Sequence, residues 1–400
     1  MFNQSYFISR LPQIHFGSGK LSVINQIVQE QNYKKILLVT GSKSFYGSEA
    51  WQSLIHELTS NSVEWWHTTI SNEPSPQLVD EAVSKFTEHN IDLVIAIGGG
   101  SVMDAGKAIA GLLPFGNSVL DHLEGVGKGI AYSGPATPFI AVPTTAGTGS
   151  EATKNAVLSE HGDNGYKKSF RHDTLMPSYA IIDPELLTSC PPELIAANGM
   201  DAFTQLLESY VSTGSNPFTD ALALSGLTAI KQGFLDAWQN NDESKASEGR
   251  AAMAYGALLS GITLAQAGLG SVHGLASPLG AFFPIGHGVV CGSLLAAATE
   301  VNLNALKQRE PNHVSLKKYA EIGRLLNSDK PLATDEEAHQ ALIATLNHWT
   351  KTFNIPSMSA LGIKPEHYAK IVANSRGNSM KTNPIVLTDQ EVQSILEMAA

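Results

Sequence analysis

Short apolar runs alternate with helical patterns through the first half of the chain. KKILLVT (34–40), VEWWHTTI (63–70), DLVIAIGGG (92–100), PFIAVPTT (138–145) and YAIID (179–183) each have the length and β-branched content of a strand. Strands alternating with helices predict a parallel sheet with crossover helices. Beyond DPELLTSCPPELIAANGMDA the pattern changes. TDALALSGLTAIKQGFLDAW and AAMAYGALLSGITLAQ carry a period near 3.6, so the second half is expected to be mostly helical. The switch falls at Pro191 and Pro192, where a proline pair disfavours continuing an element. The expected division is an α/β domain over 1–190 and an all-helical domain over 191–400.

Composition narrows the class. The chain has 400 residues, 43% of them apolar, and a net charge of -11. That is enough apolar content for two cores, and the acidic balance argues against a nucleic-acid partner. The start has no basic segment followed by a long apolar run, so no signal peptide is expected. Two cysteines, Cys190 and Cys291, with no CxxC spacing, fit a reducing compartment, and a cytoplasmic location is expected. From Ala251 to Thr299 there is no Asp, Glu, Lys or Arg, which invites a membrane reading. Gly268, Gly270, Pro278, Pro284 and Gly286 break the run, so packed interior helices and no membrane partner are expected instead.

Two segments carry anion-binding chemistry. DLVIAIGGGSVMDAGKAIAG is a buried strand, a turn of Gly98, Gly99 and Gly100, and a helix starting near Ser101. Such glycines admit a diphosphate close to the backbone, and the helix N-terminus attracts it. IAVPTTAGTGSEATKNAV repeats strand and loop, with Thr144, Thr145, Gly147, Thr148 and Gly149. On parallel strands both loops would share one sheet edge, where open α/β folds bind ligands. HFGSGKLS lacks the GxxxxGK[ST] spacing, so Gly17 to Lys20 reads as a turn.

A third constellation suggests a cation. In NGMDAFTQLLESYVS, Asp201, Gln205 and Glu208 fall on one helix face, and His273 and His287 follow in the charge-free stretch. A divalent cation shared with Asp201 would satisfy both buried imidazoles.

Taken together, FGSGKL, GGGSVMDAGKAIA, PTTAGTGSEAT, IIDPELLTSCPP, NGMDAFTQLLESY, GLGSVHGLASPLGAFFPIGHG and KTNPIVLTDQEV resemble the iron-containing, group III metal-dependent alcohol dehydrogenases over essentially the whole chain. The resemblance implies a dehydroquinate synthase-like architecture, an α/β dinucleotide-binding domain followed by a helical domain, with a metal site in the cleft between them. It implies NAD(P) as cofactor and a divalent metal, iron first, with zinc or nickel as alternatives. Asp201, His273 and His287 match metal ligands and serve catalysis. Gly98, Gly99, Gly100, Ser101, Asp104, Thr144, Thr145 and Thr148 match cofactor segments, and Lys168 in YKKSF matches a lysine near the cofactor ribose. A homodimer acting on a small aldehyde or alcohol is the implied assembly and substrate.

Two positions depart from that family: Gln205 and Ser277 stand where histidines are usual. Gln205 is expected as a fourth, weak ligand or on a metal-bound water, with Glu208 as a lesser substitute. Gly41, Ser42 and Lys43 end the first clear strand where NAD-preferring relatives often carry an acid, so NADPH should be tolerated. Arg376 and Lys381 are candidates for holding an anionic group on the substrate. The expected activity is hydride transfer between nicotinamide and a metal-polarised carbonyl. Two alternatives stand beside it: a polyol or sugar-phosphate dehydrogenase of the same fold, and a metal-depleted dinucleotide-binding sensor.

Overall fold

A computed structural model describes residues 5–162 and 164–400. The first half builds β1 (Gln13–Phe16), α1 (Val23–Glu30), β2 (Lys35–Gly41), α2 (Glu49–Ser60), β3 (Glu64–Ile70), α3 (Pro76–Phe86), β4 (Leu93–Gly98), α4 (Gly100–Leu112) and β5 (Phe139–Pro143). A hairpin of β6 (Asn155–Glu160) and β7 (Tyr166–Arg171) precedes β8 (Tyr179–Ile182). Six strands form one parallel sheet in the order β1-β8-β5-β4-β2-β3, and β6 and β7 pair antiparallel on their own.

Two cores follow from the strand period of two. Ile36, Leu38, Ile95, Ile97, Ile140 and Val142 point to one face, where Ile24, Ile27 and Val28 of α1 and Trp51, Leu54 and Leu58 of α2 cover them. Leu37, Val39, Val94, Ala96 and Ala141 point to the other, against Val79, Val83 and Phe86 of α3 and the apolar side of α4. Burial on both faces explains why β2, β4 and β5 read as unbroken apolar runs. From β2 the chain steps outward to β3 by way of α2, then returns by way of α3 to place β4 on β2's other side. The carboxyl ends of β2 and β4 therefore flank a topological switch point, where open α/β sheets bind ligands.

The second half is helical: α5 (Pro192–Val211), α6 (Pro217–Gln239), α7 (Glu243–Ala267), α8 (Ser271–Phe282), α9 (His287–Arg309), α10 (Val314–Leu326), α11 (Asp335–Thr352), α12 (Pro365–Asn374), α13 (Asn378–Lys381) and α14 (Asp389–Met398). α5 is buried on all sides from Gly199 to Val211 and packs against α6, α7 and α9. A helix without a solvent face is a core helix, which is why its polar residues carry information. The charge-free stretch folds as parts of α7, α8 and α9. By length and composition α9 could cross a membrane, yet 83% of its most apolar window is buried inside the protein.

The chain divides into two compact units, 9–160 with 165–191, and 192–400 with His161–Asn164 and the described residues before Ser9. The sequence pattern had put all of 1–190 in one domain. The exceptions have a hydrogen-bonding reason at the hairpin tip, where His161 Nδ1 lies 3.1 Å from Gly280 O and the Gly162 amide donates to Ala281 O at 3.4 Å.

Candidate functional site

α5 starts at Pro192, whose missing N–H costs nothing in a first turn. Three turns on, it presents Asp201, Gln205 and Glu208 from one face, with exposures of 1%, 3% and 6%. Burying three such side chains requires a partner for each. The partners come from other helices.

α8 supplies His273 and α9 supplies His287 and, one turn later, Cys291. Pro284 sets the connection: Phe283 before it is extended, so α8 stops and the chain re-enters as α9 at His287. α9 can approach α5 because residue 288 is glycine; a Cβ there would lie 2.4 Å from Ala197 O. His273 Nε2 is 3.2 Å and His287 Nε2 3.7 Å from Asp201 Oδ1. Cys291 Sγ is 3.8 Å from each of the same two nitrogens. The ligand atoms of Asp201, His273, His287 and Cys291 all lie within 4.8 Å of one another.

Glu208 is not part of that quartet. Its Oε2 lies 2.7 Å from His273 Nδ1, and its Oε1 accepts the Val272 amide at 2.7 Å. The expectation that Glu208 could substitute as a ligand is thereby corrected: both its oxygens are engaged on α8, one of them at the outward nitrogen of His273. A carboxylate on Nδ1 fixes the ring and turns the Nε2 lone pair toward Asp201, as outer carboxylates of metal sites do. Gln205 turns elsewhere: its Oε1 accepts from Ser260 Oγ on α7 at 2.6 Å. Ser277, one turn beyond His273, is half-buried on α8.

The quartet favours positive charge. Burial pushes the Asp201 carboxyl up, but His287 and His273 outweigh it and hold it below its usual range. Burial likewise opposes a charge on His273, and Cys291, Asp201 and Glu208 outweigh it and raise that imidazole. Burial pushes the Cys291 thiol up to about 12. One carboxylate, two imidazoles and a thiol within a few ångströms, all buried but the half-buried His287, are a donor set that fits a divalent transition cation.

The α/β unit gathers the other expected residues at the carboxyl ends of three neighbouring strands. Gly41, Ser42 and Lys43 end β2, with Ser42 and Lys43 exposed. Gly98 ends β4 and Gly99 caps α4 without any side-chain hydrogen bond, leaving the helix N-terminus to a ligand. Thr144 and Thr145 follow β5, and the Thr144 amide donates to Gly98 O at 2.9 Å. The two loops touch: a Cβ on Gly100 would stand 2.6 Å from Thr148 Cγ2. Asp104 accepts from Ser150 Oγ at 2.7 Å, and Lys107, fully buried, donates to Thr153 Oγ1 and Asn155 O, so α4 pins the second loop. Ser101 is on the first turn of α4. Lys168 stands exposed on β7, opposite Leu158.

Gly100→Ala tests this cradle. Overpacking costs about 1–3 kcal/mol, so the KM for the nicotinamide cofactor should rise about tenfold while metal content stays unchanged. Steady-state kinetics with varied cofactor reads it, and an unaltered KM would mean that the Gly100–Thr148 contact does not shape the site.

The two candidates for an anionic substrate group have local partners. Arg376 is engaged structurally, its guanidinium donating to Leu387 O and pairing with Asp389, and Lys381 Nζ donates to Asn378 Oδ1 at 3.1 Å. Both cations have local partners, and Arg376 ties the chain before α13 to the start of α14.

Comparison with known proteins agrees over both units. Sequence models described as iron-containing alcohol dehydrogenase and as the C-terminal part of the Fe-containing alcohol dehydrogenase family match residues 12–184 and 195–400. Alcohol dehydrogenase 4 of Saccharomyces cerevisiae is 32% identical over 394 residues, 97% of each chain. An NAD-dependent methanol dehydrogenase of Bacillus methanolicus is 32% identical over 330 residues, 82% of each. Among solved structures, a 1,3-propanediol oxidoreductase superposes with a TM-score of 0.88 at 28% identity, over 99% of this chain and 100% of that one.

Proposed function

This chain belongs to the iron-containing alcohol dehydrogenase family, and from that premise we propose which of its residues carry the chemistry. It is a metal-dependent, NAD(P)-linked alcohol dehydrogenase or aldehyde reductase. The observation that carries the assignment of residues is the convergence of Asp201, His273 and the half-buried His287 on one point.

Bound there, a divalent cation supplies Lewis acidity to the oxygen of a small aldehyde, and a reduced nicotinamide supplies the hydride. Asp201 contributes the negative charge of the donor set, and the two Nε2 atoms contribute lone pairs. Glu208 keeps His273 in the tautomer with Nδ1 protonated and Nε2 facing inward. Gly98, Gly99, Gly100 and Ser101 present backbone N–H groups to the cofactor diphosphate, and Thr144, Thr145 and Thr148 line the adjoining loop. Ser277 Oγ, where the family usually has a histidine, can pass a proton but does not store one at neutral pH. Aldehyde-dependent oxidation of NADH and NADPH, with metal added back to stripped protein, tests the assignment. Turnover that is independent of added metal would overturn it.

Cofactor choice is set where β2 ends. No carboxylate occupies Gly41, Ser42 or Lys43, so nothing there repels a 2′-phosphate, and NADPH should be used at least as well as NADH. Gly41→Asp should shift the ratio of kcat/KM toward NADH by about tenfold, near 1.4 kcal/mol. A strong NADH preference that Gly41→Asp leaves unchanged would refute this reading.

A further inference from the structure

We propose that Cys291 Sγ is a metal ligand, forming with Asp201, His273 and His287 a four-donor set of one oxygen, two nitrogens and one sulfur that favours a zinc-like cation and admits the substrate oxygen as a fifth ligand. The inference rests on the reading of this cluster as a metal centre and adds a ligand to it. Its first support is geometric. Tetrahedral ligation at about 2.0–2.3 Å places neighbouring donor atoms about 3.3–3.8 Å apart. His273 lies 3.2 Å and His287 3.7 Å from Asp201, and Cys291 lies 3.8 Å from each histidine. These four of the six separations match that range, and all six are within 4.8 Å.

The second support is hydrogen-bond arithmetic. Cys291 is fully buried and its sulfur is equidistant from two imidazole nitrogens. A thiol carries one proton and donates to one neighbour at most. Nδ1 of His273 faces Glu208 and its Nε2 faces Asp201 Oδ1 at 3.2 Å, so the sulfur sits among two imidazoles and a carboxylate. One cation at the centre serves all four atoms, and the thiol proton leaves to solvent as it binds.

Gln205 offers no competing account. Its carbonyl oxygen faces Ser260 Oγ, a contact on α7, away from α8 and α9 in sequence and in partner. The position of Cys291 is one turn along α9 from His287, so both donors leave the same helix face. Thiolate is soft, and with imidazole it favours zinc or cobalt over manganese or magnesium.

Cobalt substitution gives a direct reading. Metal-free protein loaded with one equivalent of Co(II) should show a near-ultraviolet thiolate-to-cobalt charge-transfer band. Cys291→Ser should abolish the band and raise the cobalt Kd about tenfold or more, while Cys190→Ser should leave both unchanged. Wild-type protein that retains one cobalt without the band overturns the assignment of Cys291 and leaves the metal centre standing. Wild-type protein that retains no cobalt overturns both. The wild-type spectrum decides the matter even if the Cys291 variant does not fold.

Discussion

Asp201→Asn should lower kcat/KM for aldehyde reduction by about a thousandfold. Asp201 is the one carboxylate among the converging donors, 1% exposed, and it lies within 3.7 Å of both inward imidazole nitrogens. Replacing its charge by an amide leaves a neutral carbonyl oxygen against a cation, a far poorer donor. Lewis-acid stabilisation of the developing oxyanion contributes several kcal/mol, and losing about 4 kcal/mol of it corresponds to about 10³ in rate. Metal retention should fall in parallel, and KM for the cofactor should not change, because the glycine loops belong to the other unit. Kinetics with metal analysis on the same preparation, and circular dichroism to confirm folding, measure the effect. A variant that keeps its metal and more than a tenth of its activity would remove Asp201 from the site.

Glu208→Gln should weaken metal binding about 10–100-fold, the usual cost of losing an outer-shell partner of a ligating histidine. Both carboxylate oxygens are used, one toward His273 Nδ1 and one toward the Val272 amide at the start of α8. An amide has one acceptor and one donor end, so it cannot serve both N–H groups. If its NH₂ faces Nδ1, the ring must turn its Nε2 proton toward the cation. If its NH₂ faces Val272, two donors meet and the first turn of α8 is destabilised. Saturating metal should recover activity in this variant, which separates it from Asp201→Asn. An unchanged metal Kd would show that Glu208 orients nothing.

Much of this was legible in the sequence, for stated reasons. β2, β4 and β5 are buried on both faces, so their apolar runs are unbroken and their ends predictable to within a residue or two. β1, with QIHF largely exposed, and the β6–β7 hairpin, with polar YKKSFR, carry no such run, and neither was anticipated. Lys168 therefore entered as an isolated match; the structure places it at an exposed position of β7. His273 and His287 were legible because polar residues in a charge-free helical stretch must find partners, and Asp201 because an acid on an apolar helix must do the same. Cys291 was missed, although its four-residue spacing from His287 was a usable signal. Glu208 could not be assigned from its helix alone, because its partner lies 65 residues downstream on α8. Gln205 shares the face of Asp201, yet spacing could not say that α7, with Ser260, would meet it there.

The central claim is that Asp201, His273 and His287 hold the cation on which catalysis depends. The most direct test follows metal content and activity together through removal and return. Wild-type protein dialysed against a chelator should lose NAD(P)H-dependent aldehyde reduction and regain it in proportion to bound metal, levelling at one equivalent per chain, while His273→Ala should bind none at that concentration and regain nothing. Full activity in metal-free wild type, or restoration of His273→Ala by the same one equivalent, would contradict the account.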